Sequence, residues 1–125
     1  MTTNRRHFYI ALSRDLIVQL FLKMGYTIPV WFSMNIPKGS PYADLEFKKP
    51  VSGGMEYHVR ADRLGDGFVA DCHYEPSQSE KSVEHGRDFI TGMLFNTSAD
   101  YSRGRAQLLA DLTAHLNRDL WDVMS

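Results

Sequence analysis

The spacing of apolar residues changes period several times along the chain, and each change marks an element. Over residues 5–24, Ile10, Leu16, Ile17, Leu20, Phe21 and Met24 gather on one helical arc, with Arg14, Asp15, Gln19 and Lys23 opposite. That spacing predicts an amphipathic helix closed by Gly25. A rival reading makes Phe8–Leu12 a strand and has Ser13 cap a shorter helix. From Tyr26 to Ile36 the period drops to two. Ile28, Val30, Phe32, Met34 and Ile36 alternate with Thr27, Pro29, Trp31, Ser33 and Asn35, as in a strand with one buried face. Pro29 cannot donate to a ladder, so it belongs at the strand start or on an edge. Residues 37–41 read as loop, 43–48 as a short strand turning Leu45 and Phe47 inward, and 50–54 as a break.

The clearest signal is a hairpin over 55–75. Met55–Arg63 and Phe68–Glu75 alternate, and Leu64-Gly65-Asp66-Gly67 joins them. Asp-Gly is a strong turn signature, and a two-residue or a four-residue loop keeps the same residues on each face. Met55, Tyr57, Val59 and Ala61 then share a core face with Phe68, Ala70, Cys72 and Tyr74. Glu56, His58, Arg60 and Asp62 share the other face with Val69, Asp71, His73 and Glu75, and that face is expected to be wet. In the two-residue register Arg60 opposes His73, His58 opposes Glu75 and Asp62 opposes Asp71. Residues 77–82 are polar loop. Over 83–95 Phe89, Ile90, Met93 and Leu94 have helical spacing, predicting a short helix despite Gly86 and Gly92. Ser98 or Asp100 caps a final helix running to about Val123, striped by Leu109, Leu112, Leu116, Leu120 and Val123, with Leu108 and Trp121 widening the stripe. The expected fold is α+β: one domain over 1–125, a three- to four-stranded antiparallel sheet packed on one face by an N-terminal and a long C-terminal helix. The succession of elements resembles that of double-stranded RNA-binding domains in topology alone, without their lysine-rich run at the last helix.

Composition narrows the class. With 43% apolar and 12% aromatic residues, low-complexity disorder is excluded. Fourteen basic against fifteen acidic side chains disfavour a dedicated polyanion binder. The lone Cys72 excludes an internal disulfide and suits a reducing compartment. Arg5-Arg6 ahead of an apolar run has the form of a twin-arginine export signal, but Arg14 and Asp15 interrupt the run. No stretch is long and apolar enough to span a bilayer, so a cytoplasmic protein without membrane contact is expected.

Candidate chemistry gathers on the polar hairpin face. His58, Arg60, Asp62, Asp71, His73 and Glu75 mix both signs there, and Trp31, on the polar side of its strand, joins them as a candidate binding residue with Tyr26 and Tyr42 beside it. Cys72 and His73 point to opposite faces, so a thiolate–histidine pair is not expected, and Cys72 reads as buried and inert. His58, His73, Glu75 and His85 are the only cluster with metal-ligating side chains, and their spacing matches no metal motif; no metal or cofactor is expected. Phosphate loops and nucleophile elbows are absent, and no catalytic residue is assigned. The sequence thus predicts a small non-enzymatic protein-binding module of inhibitor, immunity, adaptor or chaperone type, with another protein, or a second copy, as partner. Arg5, Arg6 and Arg14 with Arg103 and Arg105 supply the alternative, a nucleic-acid-binding domain. A small enzyme using His58 or His73 with Asp71 or Glu75 is the third reading.

Overall fold

The computed structural model describes residues 7–29, 43–77, 87–88, 93–94 and 98–124. Trp31, Tyr42, His85, Arg5 and Arg6, and most of the strand predicted over 26–36, lie outside them. The described elements are β1 (His7–Ile10), α1 (Arg14–Lys23), β2 (Leu45–Val51), β3 (Met55–Leu64), β4 (Gly67–Pro76), β5 (Arg87–Asp88), β6 (Met93–Leu94), α2 (Ser98–His115) and β7 (Trp121–Met124). Five strands form one antiparallel sheet in the order β2-β3-β4-β1-β7, one or two more than the sequence predicts, in an α+β arrangement.

Both extra strands replace predicted helix. At the N-terminus the rival reading holds. Phe8 and Ile10 are buried while His7 and Tyr9 are not, a period of two, and Ser13 caps α1 by accepting from the Leu16 amide at 3.4 Å. As a strand, β1 gains two ladders, Phe8↔Ala70 through Ile10↔Phe68 on one side and His7↔Met124 through Ile10↔Trp121 on the other. A surface helix turn would have had neither. At the other end α2 stops at His115, a short 3-10 turn spans Arg118–Leu120, and Trp121 enters β7. Trp121 is buried, its indole N–H donating to the Leu116 carbonyl at 3.3 Å, with the Arg118 guanidinium 4.2 Å from its ring centre. The short helix predicted over 83–95 is also replaced, since Arg87↔Leu94 and Asp88↔Met93 pair as strands; glycines cost a helix about 1 kcal/mol each, and this segment has two.

The β3–β4 hairpin forms with a shifted turn. Its ladder runs from Met55↔Pro76 to Leu64↔Gly67, leaving Gly65-Asp66 as the loop. Positive φ occurs at Gly65 (+60°) and at no non-glycine residue, as in a II′ turn, which needs it only at the first central position. Gly67 is needed for another reason: a Cβ there would collide with the Ile10 backbone carbonyl of β1 and lie 2.7 Å from the Tyr9 hydroxyl. Every cross-strand pair therefore moves by two residues from the predicted register, while the two faces keep their members.

One face is the core. Leu45 and Phe47 from β2, Val59 and Ala61 from β3, Phe68, Ala70 and Cys72 from β4, Phe8 and Ile10 from β1, and Trp121 join Ile17, Leu20 and Phe21 of α1 and Leu108 and Leu112 of α2. Phe21 stacks on Phe47 with ring centres 4.4 Å apart. Tyr26 is buried rather than exposed beside Trp31, its ring edge-on to Phe21 and its hydroxyl donating to Asp111 Oδ2 at 2.8 Å. Lys49 completes that buried pair at 3.2 Å from the same oxygen. The buried side of α2 carries Gly104, Leu108, Asp111 and Leu112. The predicted stripe led by Leu109 is thus rotated, and Leu109 is exposed. Gly104 sets that roll, because α2 rests its backbone there on Cys72 and His73 of β4.

Candidate functional site

Residues of even number on β2 and β3 and of odd number on β4 point to the second face of the sheet. The prediction that this face is wet fails over its centre: Glu46, Glu56, His58, His73 and Glu75 are all buried. Glu46, His58, His73 and Glu75 offset the cost of buried charge by pairing. His58 Nε2 lies 2.7 Å from Glu46 Oε1, and its Nδ1 lies 3.2 Å from Glu75 Oε2. His73 Nε2 lies 2.7 Å from Glu75 Oε1. The shifted register explains the convergence, since His58 stands directly opposite His73 and Glu56 opposite Glu75. The two imidazoles meet edge-to-face with centres 5.0 Å apart.

These contacts shift the titration of His58 and Glu75. Burial pushes the His58 pKa down, but hydrogen bonds to Glu46 and Glu75 outweigh it and hold it at about 9. Burial pushes Glu75 up, yet its bonds from His58 and His73 carry it well below the ordinary carboxylate range. The sign of the pH dependence follows. His58 contributes stability in full below its ordinary value of 6.5 and loses it as pH rises through about 9. Glu75 contributes above its ordinary value of 4.5 and loses it as pH falls below that. Urea unfolding in chelator-containing buffer should give greatest stability between these two values, with a decline on each side. A profile flat from neutral pH to 10 would contradict the chain of pairs.

Beside this buried chain opens a cleft of about 340 Å³. Arg60 and Asp62 of β3 and Val69, Asp71 and His73 of β4 line it along the sheet, with His7 of β1 and Tyr101 of α2 at its sides. Asp71 is held by the Arg105 guanidinium through two bonds of 2.8 and 2.9 Å and by the Cys72 amide at 2.8 Å. Arg60 is half-exposed and reaches to 4.0 Å from Glu46 Oε2. Tyr101 sits over His73, ring centres 5.3 Å apart, and burial raises its hydroxyl pKa.

Of the residues singled out in the sequence, Arg60, Asp62, Asp71 and His73 meet at this cleft, whereas His58 and Glu75 stand in the buried chain. Arg103 and Arg105 do not form a basic patch. Arg105 is occupied by Asp71, and Arg103 lies 3.8 Å over the Tyr74 ring and donates to the Tyr57 hydroxyl at 3.3 Å. Arg14 is exposed at the start of α1. Cys72 is fully buried, and burial pushes its thiol pKa up, which suppresses thiolate chemistry. Three contributors were missed. Glu46 was legible as the residue between inward Leu45 and Phe47, had β2 been paired with β3 through the 52–54 turn. His7 followed from the strand reading of 8–12. Tyr101 carries no signal in the sequence, since its place depends on how α2 sits on β4.

Chemically, the arrangement can store protons, hold a cation, or present charge of both signs in a concavity. An antiparallel five-stranded α+β fold with a buried His–Glu chain behind a mixed-charge cleft defines the class. Among the described residues no helix is long and apolar enough to cross a membrane. No family model, no curated protein and no solved structure matches the chain.

Proposed function

We propose that the chain is a small non-enzymatic protein-binding module, of the inhibitor or adaptor kind, that receives a partner's side chains in the cleft between β1, β3, β4 and the start of α2. In this reading the partner enters where the second face stays open, at the cleft whose Arg60 and Asp62 are exposed. The observation that carries it is the lining of the cleft: Arg60, Asp62, Asp71 and His73 set both signs of charge around an apolar Val69 and an aromatic Tyr101. A concave, mixed-sign surface with an aromatic wall favours one complementary protein over a uniform polyanion. Nucleic acid has less in its favour, because Arg103 and Arg105 are engaged within the fold.

The test is capture of partners by the tagged chain from native lysate, with and without nuclease, beside cleft variants that leave the core intact. A stoichiometric protein should be retained after nuclease treatment, and Arg60→Ala or Val69→Ala should weaken its binding roughly tenfold, as loss of one central interface side chain does. Both variants should unfold within a few degrees of the parent. A partner released by nuclease, or one indifferent to both substitutions, would sink the proposal.

A further inference from the structure

The buried chain behind the cleft has a second property that the docking proposal does not use. His58, His73 and Glu75 each offer one ligand atom, and these atoms all lie within 4.8 Å of one another. We propose that these three side chains bind a single divalent transition-metal ion of the zinc type, His58 through Nδ1, His73 through Nε2 and Glu75 through its carboxylate.

The donors converge because of the ladder. His58 and His73 are directly opposed across β3 and β4, and Glu75 stands two residues from His73 on the same face. An ion with bonds of about 2.0–2.1 Å wants its donors about 3.4 Å apart, so small side-chain rotations from the present spacing suffice. The orientation of His58 is the independent observation. Its other nitrogen, Nε2, is 2.7 Å from the buried Glu46 carboxylate, the arrangement by which metal-bound imidazoles are held in one tautomer and made better donors. Glu46 is therefore a positioning residue. Two imidazoles with one carboxylate suit zinc or its neighbours and not magnesium or calcium, which prefer oxygen throughout. Three protein donors leave a four-coordinate ion one further position for water or a ligand, and His73, which also lines the cleft, puts the ion beside that opening.

Sequence spacing predicts no such site because its three members come from two strands, and only the observed register faces them. The inference is independent of the docking proposal, and either can fail alone. The test uses the full chain, stripped with chelator and then titrated with zinc chloride in a calorimeter, and with cobalt(II) followed by its visible absorption. We expect saturation at one ion per chain, intense cobalt bands of low coordination number, and no heat from magnesium or calcium. Glu46→Gln should keep that stoichiometry and weaken zinc by about 10- to 100-fold, and His73→Gln by at least as much. His7→Gln, which removes the neighbouring cleft histidine, should leave affinity within a few-fold. A wild-type chain that does not saturate at one ion, or a cobalt spectrum like that of the aqueous ion, overturns the proposal without any variant. So does an equal loss in His7→Gln and His73→Gln.

Discussion

Phe47→Ala is expected to cost about 3–5 kcal/mol of folding stability, the usual toll of emptying a buried aromatic site. Phe47 is fully buried on β2, its ring stacked 4.4 Å from Phe21 of α1. Phe21 in turn meets Tyr26 edge-on at 5.2 Å, and Tyr26 is bonded to Asp111 of α2. The ring thus stands at the start of a contact path from the sheet through α1 to α2, and its loss leaves a void that the stacked neighbour cannot fill without leaving Tyr26. Domains of this size have roughly 5–15 kcal/mol in total, so the variant should unfold roughly 10 °C or more below the parent. Phe47→Leu, which keeps most of the volume, should lose far less. Calorimetric or urea unfolding reads both, and a loss under 1 kcal/mol for the alanine variant would show that the stack does not hold the sheet to α1.

Gly104→Ala should destabilise by about 2 kcal/mol, against the sign that helix propensity dictates. In an exposed helix interior the change stabilises by about 1 kcal/mol. Gly104 is buried, and a Cβ built on it would stand 2.6 Å from the His73 Cα, with the Cys72 carbonyl carbon as close. Backbone cannot swing aside as a side chain does, so α2 must lift from β4, at an overpacking cost of typically 1–3 kcal/mol or more. The site moves with it. Tyr101, one turn before it, and Arg105, the next residue, would draw away from His73 and Asp71, so partner binding should weaken together with stability. Equilibrium unfolding beside an Ala106→Gly control separates the effects, because Ala106 is exposed and should follow propensity alone. A Gly104→Ala protein more stable than its parent would mean that α2 does not rest on β4.

How far the sequence told the fold depends on which force decided each element. The hairpin was legible because alternation and turn chemistry agreed over twenty residues. Its register was not, because Gly67 looks like half of an Asp-Gly turn and is needed instead for the close approach of the Ile10 carbonyl and Tyr9 ring of β1. Ile10 and Val123 both fall by coincidence on helical stripes, and their true partners are each other's strands; no local pattern distinguishes a helix end from a strand that pairs with the far end of the chain. The candidate site was half legible. Parity put His58, Arg60, Asp62, Asp71, His73 and Glu75 on one face, but charged residues on a face read as solvated, and only the tertiary pairing of His58 with Glu46 and Glu75 shows that the centre of this face is buried. Arg103 and Arg105 looked available for the mirror-image reason.

The pairing of His7 with Met124 also governs the order of assembly. β2, β3 and β4 are joined by short turns and close nearly the smallest loops a sheet allows, so that half can form early and alone. The β1–β7 ladder joins nearly the two extremes of the described chain and bears the largest loop-closure entropy among the described ladders. During synthesis β1 and β4 are both made before β7, so the β1–β7 ladder closes only after the β1–β4 ladder can form.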